Sequence, residues 1–164
     1  MGAAYDRNHS EYPSLDASAH KIRITGFVSH STVITIDDLR RLPQHQVLCC
    51  LQCAGNRRHT MRTKIKEVSG IDWFDGAVAN CVWRGPRLRD VLMVVGLGED
   101  VRGEKGWKGH VECVCEVMPC EDTAEYGGSI TLERAMMEDG DCILALEVCE
   151  ANRYHNMLLT TSGR

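Results

Sequence analysis

Alternation of apolar and polar residues predicts short strands in the first third of the chain. Lys21–Thr25 alternates isoleucine with polar residues, a period of two that is typical of a strand with one buried face. Val33–Thr35 is a second short β-branched run, and Gln46–Leu51 is a third strand-like segment. The third strand would deliver the chain directly onto the loop that contains Cys53, and reactive side chains are common on such loops.

The helices that the pattern predicts are short. Thr35 is placed to cap one helix, with Asp37 and Asp38 in its first turn and Pro43 closing it. A second helix is predicted over Arg87–Val95, where apolar residues recur on one stripe.

Pro86 suits the first turn of that second helix, and Gly96 supplies its end. A third helix is predicted over Thr131–Met137.

Two further strands complete the predicted architecture. His110–Val117 alternates so that Cys113 and Cys115 fall on the inner face, and Ile143–Val148 is apolar enough for a buried strand. The fold class is therefore α+β, a mixed and strand-rich architecture. Neither βαβ alternation nor a GxGxxG motif is found, which argues against a nucleotide-binding doubly wound sheet.

Composition fits a globular protein and excludes several classes. The chain has 164 residues, 43% of them apolar and 26% charged, with a formal net charge of −4 that argues against a nucleic-acid partner. No apolar run approaches the roughly 20 residues that a membrane span needs. The first residues have no apolar leader core, so we expect an intracellular protein. Basic residues nevertheless cluster after Cys53: Arg57, Arg58, Arg62, Lys64 and Lys66.

Nine cysteines are many for this length, and an odd number cannot all pair within the chain. We expect reduced thiols, most of them serving as small buried apolar side chains. Cys50 and Cys53 form a CxxC pair, but the chain lacks a second CxxC or HxxxH at the spacing of a zinc finger. Cys49 and Cys50 are expected on opposite faces of a strand.

The residues around Cys53 allow more than one chemistry. Ala54 and Gly55 let a bulky group approach the backbone, while Arg57 and Arg58 favour a thiolate and can hold an anion. This pattern suits a soft metal with an anionic substrate, or a nucleophilic cysteine. A free buried cysteine beside a solvated basic loop is the alternative that residue types and spacing alone leave open.

Leu51–Arg58, with the sequence LQCAGNRR, resembles the signature of the sulfite oxidase family, which also includes eukaryotic assimilatory nitrate reductases. Further motifs match in order from about residue 5 to about residue 148: Arg7–His9, Lys66–Trp73, Gly76–Val78, Trp83–Gly85, Leu88–Leu92, Tyr126–Ile130 and Arg134–Met136. The resemblance implies a sulfite-oxidase-type molybdopterin-binding domain over residues 1–164. Lys66–Val68 and Ile71–Trp73 look more like sulfite oxidase than nitrate reductase.

The resemblance also implies roles for particular residues. Cys53 matches the cysteine that ligates molybdenum beside a pyranopterin dithiolene, so it is both the metal ligand and a catalytic residue. Arg7 and Arg58 match the catalytic arginines of the substrate pocket, where sulfite would be oxidised to sulfate by oxygen-atom transfer. The implied cofactor contacts, besides Cys53, are Tyr5, Asp6, Arg7, Asn8, His9 and His155. Trp73, Trp83 and Tyr126 are expected to be core aromatics.

After Glu147 the resemblance weakens. The family continues with a run that binds the pterin phosphate, and here only Arg153 and His155 keep a recognisable interval. We therefore expect a domain truncated at its C-terminal side, without the family's immunoglobulin-like dimerisation domain and without haem, so the electron acceptor stays open. The alternatives are a non-catalytic remnant of the family, a nitrate-reductase-type domain and an unrelated thiol-rich metal-binding module.

Overall fold

The computed structural model describes residues 14–98, 101–104, 106–115 and 126–150. Nine strands and four helices occur in these ranges. The strands are β1 (Lys21–Ile24), β2 (Thr32–Thr35), β3 (Gln44–Gln52), β4 (Val78–Pro86), β5 (Arg102–Gly103), β6 (Gly106–Trp107), β7 (His110–Cys115), β8 (Tyr126–Thr131) and β9 (Glu147–Glu150). The helices are α1 (Ile36–Arg41), α2 (Arg58–Lys64), α3 (Leu88–Val94) and α4 (Leu132–Met136). The α+β class predicted from the sequence is confirmed, and in the described ranges no helix is long and apolar enough to cross a membrane.

The strands form small sheets. β1–β2, β5–β6 and β7–β8 are antiparallel pairs, and β3–β4–β9 is a three-stranded sheet with β4 in the middle. The predicted strands over Lys21–Thr25, Val33–Thr35 and Gln46–Leu51 are confirmed as β1, β2 and β3. β3 ends at Gln52, so Cys53 is the first residue after the strand, as the sequence predicts.

The chain divides into two compact units. One includes Leu48–Trp83, and the other includes the described residues up to Val47 together with Arg84–Glu147. The core of the second unit has two apolar clusters, and α3 contributes to both. Leu88 and Leu92 pack in the cluster of α4, while Val91 and Val95 pack in the cluster of β2 and α1.

Helix α1 begins with the cap that the sequence predicts. The Thr35 hydroxyl accepts a hydrogen bond from the Asp38 backbone N–H at 3.1 Å, and the Asp38 carboxylate accepts from the Thr35 N–H at 3.0 Å. This reciprocal capping box satisfies two N–H groups that the helix itself cannot pair. The helix ends at Arg41, just before Pro43, and Leu39 is fully buried.

Helices α3 and α4 are confirmed, but the residue predicted to begin α3 lies elsewhere. Pro86 is the last residue of β4 and is fully buried, and Arg87 is the extended N-cap residue. The reason is tertiary pairing. The Pro86 carbonyl accepts from the Leu144 N–H at 2.9 Å, and the Leu88 N–H donates to Cys142 O at 2.8 Å, which keeps the chain extended up to Arg87.

The predicted inner face of β7 is wrong at Cys113. That side chain is exposed, whereas Val111 packs against the α3–α4 cluster and Cys115 is half-buried. Cys113 pairs with Gly128 of β8, which has no side chain to cover it. The last two residues of the predicted strand, 116 and 117, lie outside the described residues.

The buried strand predicted over Ile143–Val148 is only partly present. Ile143 makes only an isolated bridge with Arg87, residues 144–146 are not in a strand, β9 begins at Glu147, and Val148 is 49% exposed. Leu144 and Leu146 do donate backbone N–H groups to the carbonyls of Pro86 and Arg84, at 2.9 and 2.8 Å. Because proline has no N–H, Pro86 cannot donate back to Leu144, and the ladder is interrupted there.

The expectation that most cysteines are buried is also wrong. Of the seven cysteines whose environment the structure describes, only Cys81 is buried. Cys49, Cys50 and Cys113 are exposed, and Cys53, Cys115 and Cys142 are half-buried. All seven are free thiols, so chemistry at Cys53 is not prevented by a disulfide.

Candidate active site around Cys53

Cys53 lies at the start of a tight turn that follows β3. Its backbone N–H donates to Ala77 O at 3.0 Å, and its half-buried Sγ accepts from the Gly55 N–H at 3.3 Å. The turn therefore presents a free, half-buried sulfur that already accepts one backbone N–H.

Asn56 fixes the base of this turn. Its side-chain amide donates from Nδ2 to Ala77 O at 3.1 Å, and its Oδ1 accepts from the Ala77 N–H at 3.3 Å. The Asn56 backbone N–H also donates to Cys53 O at 3.1 Å. The Asn56 side chain thus pairs with both the N–H and the carbonyl of Ala77, as a residue of a neighbouring strand would.

Gly55 is needed because Trp73 lies against it. The Trp73 indole N–H donates to Gly55 O, and a Cβ on Gly55 would lie 2.9 Å from the indole nitrogen. The sequence correctly indicated close approach at Gly55, but part of that space is taken by a side chain of the protein itself. Trp73 is half-buried, so it contributes to the wall of the turn rather than to an apolar core.

Arg57 closes the turn in an unusual backbone conformation. Its φ of 67° lies in the left-handed region, which is uncommon for a residue with a side chain. The Arg57 N–H donates to Phe74 O at 3.1 Å, and the next residue begins α2. The Arg57 side chain is exposed and makes no hydrogen bond or ion pair with the described residues, so its charge is accessible.

Arg58 is the first residue of α2, and its guanidinium is directed back onto the 67–72 loop. Nη1 donates to Ile71 O at 3.0 Å, and a Cβ on Gly70 would overlap the same guanidinium. Nε and Nη2 make no hydrogen bond within the ranges that the structure describes. Arg58 is thus fixed at one corner, and the remaining N–H groups are available to an anion.

The 67–72 loop is itself bound by Arg62 of α2. Nη2 donates to Val68 O at 2.6 Å and to Gly70 O at 3.1 Å, and Nε lies 2.8 Å from the Glu67 carboxylate. Nη1 lies 3.6 Å from Oδ1 of Asp72. Each nitrogen of this guanidinium therefore contacts the loop.

His59, the second residue of α2, contacts Asp72 and Phe74. His59 Nδ1 is 2.9 Å from Oδ2 of Asp72, and its ring centroid is 4.5 Å from that of Phe74. The His59 backbone N–H donates to Trp73 O at 3.1 Å. Asp72 thus contacts His59 and Arg62 with its two carboxylate oxygens.

The donors in this turn fit a group that brings its own ligands. In the described part of the chain, no three His, Cys, Asp or Glu side chains come together as a metal site. Cys53 offers a single free sulfur donor, five residues before Arg58 in the chain, and sulfur is a ligand that soft metals prefer. This is the donor set expected where a cofactor supplies the other sulfur ligands, and it does not resemble a four-ligand zinc site.

The sequence located only part of this site. The structure places Cys53 directly after β3 and Arg58 at the start of α2, five residues later. Another six candidate residues, Tyr5, Asp6, Arg7, Asn8, His9 and His155, lie outside the described residues. Sequence reasoning missed the roles of Asn56 and Arg62. The signal for Asn56 was its place in the quoted octet, whereas Arg62 appeared only as one charge in a basic run.

Comparison with known proteins identifies relatives of this arrangement. The family model of the oxidoreductase molybdopterin binding domain matches residues 9–152. Sulfite oxidase of Arabidopsis thaliana is 37% identical over 147 residues, which cover 88% of this chain and 37% of the relative. Mitochondrial sulfite oxidase of Mus musculus is 36% identical over 152 residues, covering 88% of this chain and 25% of the relative.

Nitrate reductase [NADH] of Ulva prolifera is 37% identical over 144 residues, covering 85% of this chain and 16% of that protein. Among solved structures, the sulfane dehydrogenase SoxCD from Paracoccus pantotrophus superimposes with a TM-score of 0.63 over 92% of this chain and 36% of its own, at 20% identity. That likeness concerns the fold alone. The chain spans little more than a third of the sulfite oxidase from Arabidopsis and a quarter of the one from mouse.

Proposed function

We propose that this chain, which belongs to the oxidoreductase molybdopterin-binding family, carries the cofactor and substrate site of an enzyme that oxidises sulfite to sulfate. Cys53 is the protein ligand of molybdenum in this proposal. The observation that supports it most is the turn itself, in which a free, half-buried thiol accepts a backbone N–H and lies five residues before a partly engaged arginine.

Some of the proposed residues bind the cofactor and others bind the substrate. When bound, the molybdenum cofactor supplies the oxygen-atom transfer and accepts two electrons. Cys53 holds the metal through its thiolate, and the Gly55 N–H stabilises that charge. Tyr5, Asp6, Arg7, Asn8, His9 and His155 are proposed to contact the pterin, a role that rests on their match to the family.

Arg58 is proposed to bind the oxyanion, with Arg7 as a second cation. A guanidinium offers planar paired N–H groups that match a small oxyanion, and its charge persists at any physiological pH. Because Ile71 O occupies only Nη1, the Nε and Nη2 groups of Arg58 can donate to sulfite. The accessible Arg57 charge adds to the local attraction for anions.

A second candidate substrate is nitrate. The Ulva relative named as a nitrate reductase is as similar to this chain as the sulfite oxidases are. Sulfite is preferred because Lys66–Val68 and Ile71–Trp73 resemble the sulfite oxidase pattern, and these residues adjoin the Arg58 guanidinium and the Arg62 contacts. Assays of both substrates on one preparation decide between them.

Metal analysis and one substitution test the proposal. We expect about one molybdenum per chain, and Cys53→Ser to abolish sulfite oxidation, because a hydroxyl is a poor substitute for a soft thiolate ligand. Turnover is measured with an artificial one-electron acceptor.

Cys50→Ser is the matched control, since Cys50 is a free and exposed thiol three residues earlier, and its activity should match the unsubstituted protein. Unchanged turnover in Cys53→Ser would refute the ligand assignment. Protein without molybdenum would support the non-catalytic remnant, and bound zinc would support the thiol-rich module.

A further inference from the structure

The proposed oxyanion ligand, Arg58, owes its direction to the 67–72 loop. Ile71 O accepts from Nη1 at 3.0 Å, and Gly70 lies so close that a single added carbon would overlap the guanidinium. An arginine side chain has several rotatable bonds, so a position of this kind must be imposed by its contacts. The position of the loop therefore decides where the Nε and Nη2 groups of Arg58 point.

Burial does little to fix this loop. Ile71 in the loop is 70% exposed, Ile65 just before the loop is 69% exposed, and Val68 is half-buried. Little apolar area is thus removed from water, and the hydrophobic contribution scales with that area. Polar contacts must fix the loop instead.

Arg62 makes most of those polar contacts. Two carbonyls of the loop, those of Val68 and Gly70, accept from Nη2, and two carboxylates flank the other nitrogens. Hydrogen bonds from a charged donor are about twice as strong as neutral ones. The Arg62 side chain is 25% exposed, which limits competition by water, although Glu67 is 80% exposed and its ion pair contributes little.

We propose that Arg62 is a positioning residue that fixes the 67–72 loop on α2, so that Gly70 and Ile71 hold the Arg58 guanidinium in its anion-binding direction. This inference rests on the proposed function of Arg58 as the oxyanion ligand. The shape of the Arg62 guanidinium matters here as well as its charge. A lysine at this position would keep the charge but could not reach both carbonyls and both carboxylates at once.

Mobility of the Arg58 side chain tests this role without reference to activity. The Nε–H signal of Arg58 in nuclear magnetic resonance, assigned by its loss in Arg58→Lys, should show restricted motion in the unsubstituted protein. Arg62→Met and Arg62→Lys should both release it, and amide exchange at Gly70 and Ile71 should accelerate by roughly tenfold, the factor expected for one lost hydrogen bond.

The matched control is Arg89→Met. Arg89 is 32% exposed and pairs with an exposed glutamate at 3.0 Å, as Arg62 does with Glu67, but it lies in the second unit. Its substitution should leave the Arg58 signal unchanged. Restricted motion of Arg58 in Arg62→Met, or full restoration by Arg62→Lys, would overturn the positioning role.

A second pair of variants tests the contact between Gly70 and the Arg58 guanidinium. Gly70→Ala places a carbon where the guanidinium now lies, and Gly26→Ala imposes the same backbone strain at a φ of 99° against 100° with no atom within 4 Å. Only the Gly70 change should displace Arg58. If both variants left its signal unchanged, the close approach at Gly70 would have no part in positioning.

Kinetics connect the positioning role to the substrate. In enzyme loaded with cofactor, Arg62→Met should raise KM for sulfite by roughly tenfold and lower kcat by a smaller factor. The reason is that the Arg58 guanidinium loses its direction while the Cys53 turn is unaltered. If the loaded protein oxidised no sulfite, the proposed function would fail, while the positioning role would still be judged by the mobility of Arg58.

Discussion

The core of the second unit and the Cys53 turn are stabilised in opposite ways. In the second unit, Leu39 and Val91 are fully buried, and α3 inserts apolar side chains into two clusters. Between Cys53 and Ala77, by contrast, no residue is buried. That segment is fixed by hydrogen bonds from Asn56, Arg58 and Arg62 to backbone carbonyls.

The difference agrees with the role proposed for each region. Apolar burial is strong and undirected, at about 25 cal/mol per Å² of area removed from water, and it suits a framework. The proposed anion site needs charged groups near water, and hydrogen bonds fix direction at the smaller net gain of about 1 kcal/mol each. The Cys53 turn thus gives up stability for orientation.

The largest effect that this comparison predicts is at Gly85. A Cβ there would overlap the Leu144 carbonyl, which belongs to backbone and cannot move aside cheaply. Gly85→Ala should reduce the free energy of unfolding by about 3 kcal/mol or more, as in other overpacked cores. Urea unfolding measures this. Gly76→Ala, with no atom within 4 Å, is the control and should change stability by less than about 0.5 kcal/mol.

A smaller effect is expected at Asn56, within the turn. Asn56→Ala removes both hydrogen bonds to Ala77 and should lower the free energy of unfolding by about 1–2 kcal/mol. Sulfite oxidation should fall by more than the loss of folded protein alone explains, because the turn carries Cys53. Asn80→Ala is the comparison variant, because Asn80 is exposed in β4. Equal losses in the two variants would show that the turn does not depend on Asn56.

The smallest effect is a pH dependence in α1. Hydrogen bonds from Thr35 lower the pKa of Asp38 below its usual value of 3.8, and the nearby Arg41 charge adds to this. A carboxyl with a lowered pKa in the folded state stabilises the fold above its unfolded pKa, and this gain disappears as pH falls through the folded value. Asp38→Asn should therefore be less stable than the unsubstituted chain at pH 6, with the gap closing as pH drops below 3.8.

Thermal unfolding at several pH values measures the gap, and Asp37→Asn is the control, since Asp37 lies in the same helix turn outside the capping box. A gap that stayed constant from pH 6 to pH 2 would contradict the proposed contribution of the ionised carboxylate.

The sequence predicted elements wherever local chemistry determines them. Thr35 and Asp38 carry their capping box within four residues, and the apolar stripe of α3 is visible without knowing its partners. Placement of Cys53 directly after β3 also followed from the strand pattern. These features depend on neighbours in sequence, and no distant contact overrides them.

Helix α2 was not predicted, for a physical reason. It contains no buried residue, so it has no apolar stripe to reveal its period. Its N-cap, Arg57, makes no side-chain cap, and hydrogen bonds to Trp73 and Phe74 carbonyls orient its first turn. The displaced start of α3 has a similar origin, since pairing with residues 142–144 keeps Pro86 in β4.

The backbone hydrogen bonds of the Cys53 turn are nested. His59 pairs with Trp73, Arg57 with Phe74, and Cys53 with Ala77, each pair enclosing the one before. The entropic cost of closing a loop grows with the logarithm of its free length, so every inner pair shortens the loop that the next must close. Assembly from the inside outward is therefore the least costly order. A defect at His59–Trp73 raises the closure cost of all the pairs around it, whereas one at Cys53–Ala77 leaves the inner pairs intact.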